Sequence, residues 1–440
     1  MLDVLRNRTY RHLFFAQVIA LVGTGLATVA LSLLAFDLAG ANAGAVLGTA
    51  LAIKMVAYIG VAPIASAFAE RLPRRAVLVA LDLVRAVVAL SLPFVTQIWQ
   101  IYILIFVLQS ASAAFTPTFQ ATIPDVLPKE EDYTRALSLS RLAYDLESLA
   151  SPALAALLLT VVSYHSLFGG TVVGFLASAA LVVSAVLPKA KVPPKRGIYE
   201  RTTRGLRIYL ATPRLQGLLA LNLAIASGSA MVIVNTVVIV KSGFGLTQTS
   251  TAMALALFGA GSMLVALALP KLLERLPERR VMLSGAGLIA VGLLAGFVAA
   301  TRYAALLPLW FVLGLGYSLA QTPSGRLLRR SSHEEDRPAL FAAQFALSHA
   351  CWLITYPLAG WLGATAGVAM SFVALGLLAG AAVLLAAYLW REQDTAEIPH
   401  SHDDLPRDHP HLQQAHSTGD GSARHAHVYV IDDDHPRWPS

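Results

Sequence analysis

Long apolar runs separated by short charged connections fill most of the chain. Twelve such runs are discernible, at 14–36, 44–66, 76–96, 99–117, 138–161, 167–187, 215–240, 248–270, 281–300, 304–322, 341–363 and 367–390. Each is close to the roughly 20 residues that a helix needs to cross about 30 Å of hydrocarbon. Only helices and closed barrels satisfy every backbone polar group in lipid, and the runs lack the two-residue alternation of barrel strands. The pattern predicts an all-α membrane protein of twelve transmembrane helices. A second span follows the first directly, which is unlike a cleaved signal peptide. After Arg391 the apolar pattern stops, and residues 391–440 are expected to be a disordered polar tail.

Composition agrees with the pattern. The chain is 56% hydrophobic and 13% charged, against about 45–50% and about 25% in soluble domains. Basic residues cluster on alternate connections: Arg6, Arg8 and Arg11; Arg71, Arg74 and Arg75; Lys129, Arg135 and Arg141; Lys271, Arg275, Arg279 and Arg280; Arg326, Arg329, Arg330 and Arg337. The long connection 188–214 is also basic, while the other set of connections holds little beyond Lys241 and Arg302. The positive-inside rule assigns the rich set, and with it both termini, to the cytoplasm. The formal charge of +7 is then a matter of topology, not of nucleic-acid binding, because no loop joins basic residues to stacking aromatics. The single Cys351 lies in a span and allows no intrachain disulfide.

The chain echoes itself. "ERLPRRAVL" at Glu70 returns as "ERLPERRVML" at Glu274, and "KEED" at Lys129 returns as "HEED" at His333. Pro152 matches Pro357, and "QVIALVGTG" from Gln17 matches "NLAIASGSA" from Asn222. The offsets are 204 or 205 residues. Two six-span halves, 1–187 and 215–390, joined by a basic linker 188–214, account for these landmarks. Parallel halves of this kind bind cargo near the midplane between them.

"SAFAERLPRRAVL" resembles the loop motif between spans 2 and 3 of the major facilitator superfamily. Glu70, Arg71, Arg74 and Arg75 match it, while Ser66 and Pro73 stand where glycines are usual. The echo supplies Glu274, Arg275, Arg279 and Arg280. The resemblance implies two halves rocking about a central cavity, with these charges latching helix ends in one state and releasing them in the other. Arginines near a helix C-terminus also favour its partial negative charge. "SLASPALAA", from Ser148, keeps the proline of an exporter motif and replaces its glycines by Ala and Ser, which mildly favours export. The expectation is a transporter, not an enzyme.

Ionisable groups within the spans are costly and mark functional candidates. Lys54 falls near the middle of span 2. Asp82 and Arg85, three apart, share a helix face as a structural ion pair. Asp145 and Glu147 point to nearly opposite sides of span 5, and Asp145 can reach Arg141 one turn back. The repeat sets His349 opposite Asp145; carboxylate and imidazole can both bind metal or carry a proton. A histidine bonded to a neighbouring carbonyl is the plainer alternative for His349. Gln17 and Asn222 lie on the first and seventh spans, which the resemblance implies line the cavity.

The tail carries eight of the twelve histidines: His400, His402, His409, His411, His416, His425, His427 and His435. "HSH", "HPH" and "HAH" place imidazoles at i and i+2, on one side of an extended chain. Imidazole with carboxylate and no thiolate suits Ni(II), Co(II) or Zn(II) as substrate. A twelve-span facilitator with such a tail resembles bacterial nickel-resistance exporters of the NreB type. That resemblance implies nickel efflux across the bacterial inner membrane, coupled to protons, with no permanently bound cofactor. The chain shows no nucleotide-binding loop and no sign of an obligatory protein partner. A drug or siderophore exporter of the same superfamily, and a membrane-anchored metal buffer or sensor, are the alternatives.

Overall fold

A computed structural model describes residues 2–39, 43–69, 72–188, 197–391, 397–401, 416–417, 423–435 and 437–438. The first half holds α1 (Arg8–Ala39), α2 (Ala43–Ala69), α3 (Arg74–Ser91), α4 (Ile98–Val126), α5 (Glu130–Leu158) and α6 (Tyr164–Ser184). After α7 (Ile198–Ala211) come α8 (Pro213–Val237), α9 (Gln248–Arg275), α10 (Glu278–Ala299), α11 (Tyr303–Gln321), the short α12 (Ser324–Arg330), α13 (Arg337–Thr365) and α14 (Val368–Leu389). Ten helical stretches among the described residues are long and apolar enough to cross a membrane. The other two expected crossings are α2, whose apolar stretch is Ala52–Phe68, and the more charged α5.

The halves pack by one scheme. In the first, α1 packs on α6 and α5, α3 on α4 and α6, and α2 on α4. In the second, α8 packs on α14 and α13, α10 on α11 and α14, and α9 on α11. Each pair in one list has its counterpart in the other, as the repeat predicts. The α9–α11 crossing needs its glycines. A Cβ on Gly261 would stand 2.2 Å from the Phe311 carbonyl oxygen, and one on Gly314 would stand 2.0 Å from that of Phe258. Small residues let helix backbones meet this closely. Outward-facing Val87, Leu157, Val173, Val298, Leu384 and Tyr388 are well exposed, as befits a bundle whose solvent is lipid.

The halves meet along two seams, α5 against α9 and α2 against α13. One end of the bundle carries the α2–α3, α4–α5 and α12–α13 connections, the linker and the segment after α14. It is called the basic face below.

Two regions depart from expectation. The linker contains α7, a helix the apolar pattern did not predict because it lies across the end of the bundle. Its buried residues Arg204, Gly205, Ile208 and Tyr209 follow a helical period. A Cβ on Gly205 would stand 2.0 Å from the Ala339 carbonyl oxygen, so α7 is pressed onto the start of α13. The tail, expected without structure, carries β1 (Glu397–Ser401), β2 (His416–Ser417) and β3 (Ala423–Val428) in an antiparallel sheet of order β1-β3-β2. His400 pairs in register with His425, and Ile398 with His427. Tyr429, Val430 and Ile431 are then buried, Tyr429 and Ile431 within the second half's core. The tail lacks apolar surface to fold alone, and its end borrows that surface from the bundle.

Candidate transport path and gate

The α5–α9 seam is built around a charge pair. Asp145 is buried and paired with Arg141, one helical turn before it. Ser262 Oγ of α9 donates to Asp145 Oδ2 at 2.6 Å. Arg141 donates to the Tyr317 hydroxyl at 3.3 Å and lies 4.8 Å from that ring's centre. Both charges of one half are therefore held by side chains of the other.

The α2–α13 seam occupies the equivalent place. His349 corresponds to Asp145, and Tyr58 to Ser262, both at an offset of 204 residues. The rings of Tyr58 and His349 stand 4.7 Å apart and edge-on, with Phe345 4.2 Å and Trp352 5.2 Å from the imidazole. His349 Nδ1 donates to the Phe345 carbonyl oxygen at 2.7 Å. Asp145 and His349 thus sit at matching places but on different seams, and they do not form one joint site.

The remaining path candidates divide. The Glu147 carboxylate and Ser151 press against Gly25 of α1, where a Cβ would fall 2.7 Å from Glu147 Oε1. Lys54 is near enough for its charge to act on both Glu147 and His349, and its ammonium lies 5.4 Å from the centre of the Tyr58 ring. Gln17 and Asn222 are buried ties within each half. Ser140 donates to Gln17 at 3.1 Å, and Asn222 donates to Gln344 at 3.3 Å. Ser140 and Gln344 are themselves repeat mates. Asp82 pairs with Arg85, accepts from Ser178 at 2.8 Å, and lies deep in the first half. The Arg85 guanidinium stands 4.0 and 4.6 Å from the Phe115 and Phe175 ring centres.

The gating motif splits similarly. Glu70 and Arg71 lie outside the described residues. Arg75 donates to the Ala185 carbonyl at the end of α6 at 2.6 Å, and its mate Arg279 donates to those of Trp390 and Ala387 at the end of α14, at 2.5 and 3.0 Å. Arg74 pairs with Asp125 at the end of α4. In the second half the equivalent pair is inverted: Glu278 stands where Arg74 would, and pairs with Arg330 at 3.3 Å. Glu274, Arg275 and Arg280 are exposed. The acid that engages in this half is Glu278, four residues later. Asp125, Glu130 and Glu278 were not among the expected functional residues; an alignment of the repeats for opposite charges, not identical ones, picks out Asp125 and Glu278.

Contacts across the halves crowd this basic face. Asp125 also pairs with Arg337 of α13, and Glu130 with Arg326 of α12. Arg329 donates to the Pro128 carbonyl, and its guanidinium lies 5.6 Å from the Tyr133 ring centre. The structure is closed at its basic face.

Among the tail histidines, His402, His409 and His411 lie outside the described residues, and His400, His416, His425 and His427 are placed by strand register alone. His435 does not serve as an open ligand. It is buried, with Nδ1 2.8 Å from Asp432 Oδ1. Among the described residues, no group of three His, Cys, Asp or Glu is arranged to hold a metal ion.

Two pseudo-symmetric six-helix halves, meeting at two seams and clasped by charges at one end, have the layout of a membrane transporter built from two related halves. The chain belongs to the Major Facilitator Superfamily, whose sequence profile matches residues 13–236 and again 218–416. It is 24% identical over 331 residues to the uncharacterized MFS-type transporter YfiS of Bacillus subtilis, covering 72% of this chain and 78% of that one. Macrolide efflux protein A of Streptococcus pyogenes is 26% identical over 153 residues, or 32% of this chain and 38% of that protein. A bacterial homologue of the iron transporter ferroportin, in an outward-facing state, superposes with a TM-score of 0.72 at 16% identity, covering 87% of this chain and 98% of that one. The human organic anion transporter MFSD10 gives 0.71 at 12% identity, covering 86% and 99%.

Proposed function

We propose that the protein is a proton-coupled exporter of divalent transition metal, Ni(II) first, of the NreB type, in the bacterial inner membrane. Both termini and the basic face are cytoplasmic on the positive-inside rule. The closed basic face then shuts the present state to the cytoplasm, as an exporter must be when it releases cargo on the other side. The observation that carries the metal reading is the tail, with eight histidines among Asp residues on the side from which cargo leaves. Tethering these ligands raises the metal concentration at the cavity mouth. They provide no route across lipid, so the path belongs to the bundle. Glu147 is the carboxylate beside the α1 glycine and the Lys54 charge, and we assign it the proton.

A second reading, export of an organic compound, is favoured by the macrolide efflux relative and by the aromatic surroundings of His349. Efflux from preloaded cells separates the two. Cells holding Ni(II), Co(II), Zn(II) or a macrolide are compared with and without the protein at matched expression. Faster nickel loss, reduced but not abolished by truncation after Arg391, supports the metal reading. Unchanged metals with macrolide expelled would replace it.

A further inference from the structure

The end of the tail is wired into the gate. Tyr429, Ile431 and His435 are buried, and residues 432–435 form a tight turn. In that turn Asp432 Oδ1 accepts from the backbone N–H groups of Asp434 at 3.0 Å and His435 at 2.7 Å. The Tyr429 ring lies 5.2 Å from Trp438, and its hydroxyl donates to the Arg437 carbonyl at 2.8 Å.

Two arginines tie this fold-back to the α12–α13 corner, residues 331–336. Arg204 of α7 donates to Asp433 at 2.8 Å with one arm and to Asp336 at 3.0 and 3.2 Å with the other atoms of its fork. Arg214 of α8 donates to the Tyr429 carbonyl at 3.2 Å, and also to Ser331 at 2.8 Å and the Arg330 carbonyl at 3.2 Å. Its guanidinium lies 5.1 Å from the Trp438 ring centre. A third tie runs from His333 to Asp432 at 3.1 Å. Burial alone would raise the Asp432 pKa, but hydrogen bonds from His333 and His435 hold it well below the usual carboxylate range.

The corner held in this way is flanked by the cations that close the basic face. Arg326 and Arg329 precede it and reach Glu130 and Pro128; Arg337 follows it and reaches Asp125. Asp336 and Arg337 are adjacent, so a guanidinium fixed on Asp336 sets where the next side chain points.

We propose that residues 429–435, with Arg437 and Trp438, form an intramolecular latch that docks between α7 and the α12–α13 corner and holds the cytoplasmic gate closed. The latch stabilises the state closed to the cytoplasm by ordering the corner that the cross-half arginines flank. It requires no bound cargo, and its cytoplasmic placement rests on the orientation argued above.

The test places spin labels at the exposed Lys129 and Lys271, one on each half, by Lys129→Cys and Lys271→Cys in a Cys351→Ser background in nanodiscs. Their separation reports opening of the basic face. Truncation after Val428 keeps the strands and removes the latch. It should raise the long-distance, open population by at least about threefold. Asp433→Lys should do the same to a smaller extent, and a peptide of residues 429–440 added to the truncated protein should restore the closed distribution. If truncation destabilises the protein, Asp433→Lys and Trp438→Ala in the full chain carry the same comparison. Identical distance distributions with and without the latch would overturn the proposal. Asp125→Ala, which breaks a tie between the halves, sets the open reference distance, and a latch-free protein that keeps the closed distance while Asp125→Ala reaches the open one overturns the proposal.

Discussion

The α5–α9 and α2–α13 seams occupy equivalent places in the two halves, yet they are made of different chemistry. One holds the Arg141–Asp145 pair and ties it to Ser262 and Tyr317. The other puts Phe345 and His349 at the same two positions and packs them on Tyr58. A duplicated fold supplies the geometry twice, but each copy solves burial separately. A charge pair in a seam must be complete, because removing one partner of a buried pair leaves a charge in low dielectric. An aromatic cluster tolerates exchange among groups of similar shape. The charged seam is expected to be all-or-none, and the aromatic seam adjustable.

The largest expected effect is therefore at Asp145. Asp145→Ala strands Arg141 and should cost about 3–5 kcal/mol of stability, read as a lowered unfolding temperature in detergent, with efflux lost. The double change Arg141→Leu with Asp145→Leu should recover much of that stability. Equal destabilisation by the double change would mean that the charges are not the reason for the cost.

Next comes the clasp, which repeats the lesson at the basic face. Asp125 holds Arg74 of its own half and Arg337 of the other, whereas Glu278 has both its arginines, Arg326 and Arg330, in its own half. Asp125→Ala should slow efflux about tenfold or more, a barrier change near 1.4 kcal/mol, and Glu278→Ala should slow it less. The reverse order in matched efflux assays would contradict a division of labour between the halves.

A more local contrast, read in stability alone, isolates one hydroxyl in each seam. Ser262→Ala removes a bond to a charged acceptor and should cost about 1.5–3 kcal/mol. At its repeat mate, Tyr58→Phe keeps the ring against His349 and should change the unfolding temperature little. Similar costs at the two sites would erase the distinction drawn between the seams.

The smallest effect belongs to the imidazole itself. His349→Phe preserves the aromatic packing and should cost under about 1.5 kcal/mol, with metal efflux kept within a few-fold of wild type. Complete loss of efflux with stability intact would return His349 to the transport path.

How much of this was legible can be followed residue by residue. The twelve spans, the two halves and the Arg141–Asp145 contact follow from hydropathy, repetition and helical spacing, which are properties of local sequence. The equivalence of Asp145 and His349 was legible from the offset; their separation onto two seams was not, because an offset relates positions within halves and is silent on which helices meet between them. Glu278 was not legible from the repeated acid at Glu274, since the second half keeps the pair and exchanges its charges.

The sequence alone determined that this chain crosses a membrane twelve times as two related halves. Lipid admits few ways to satisfy a backbone, and helix length and periodicity express that constraint directly. Only the tertiary structure decided which charges far apart in the chain serve each other. Asp125 reaches Arg337 across 212 residues, and Arg204 reaches Asp433 across 229. The first contact depends on how the halves close and the second on how the tail folds back onto α7, and no local pattern records either. The same holds for residues 429–438: their composition reads as a polar tail, and only the presence of α7 and the α12–α13 corner gives Tyr429 and Ile431 a surface on which to be buried.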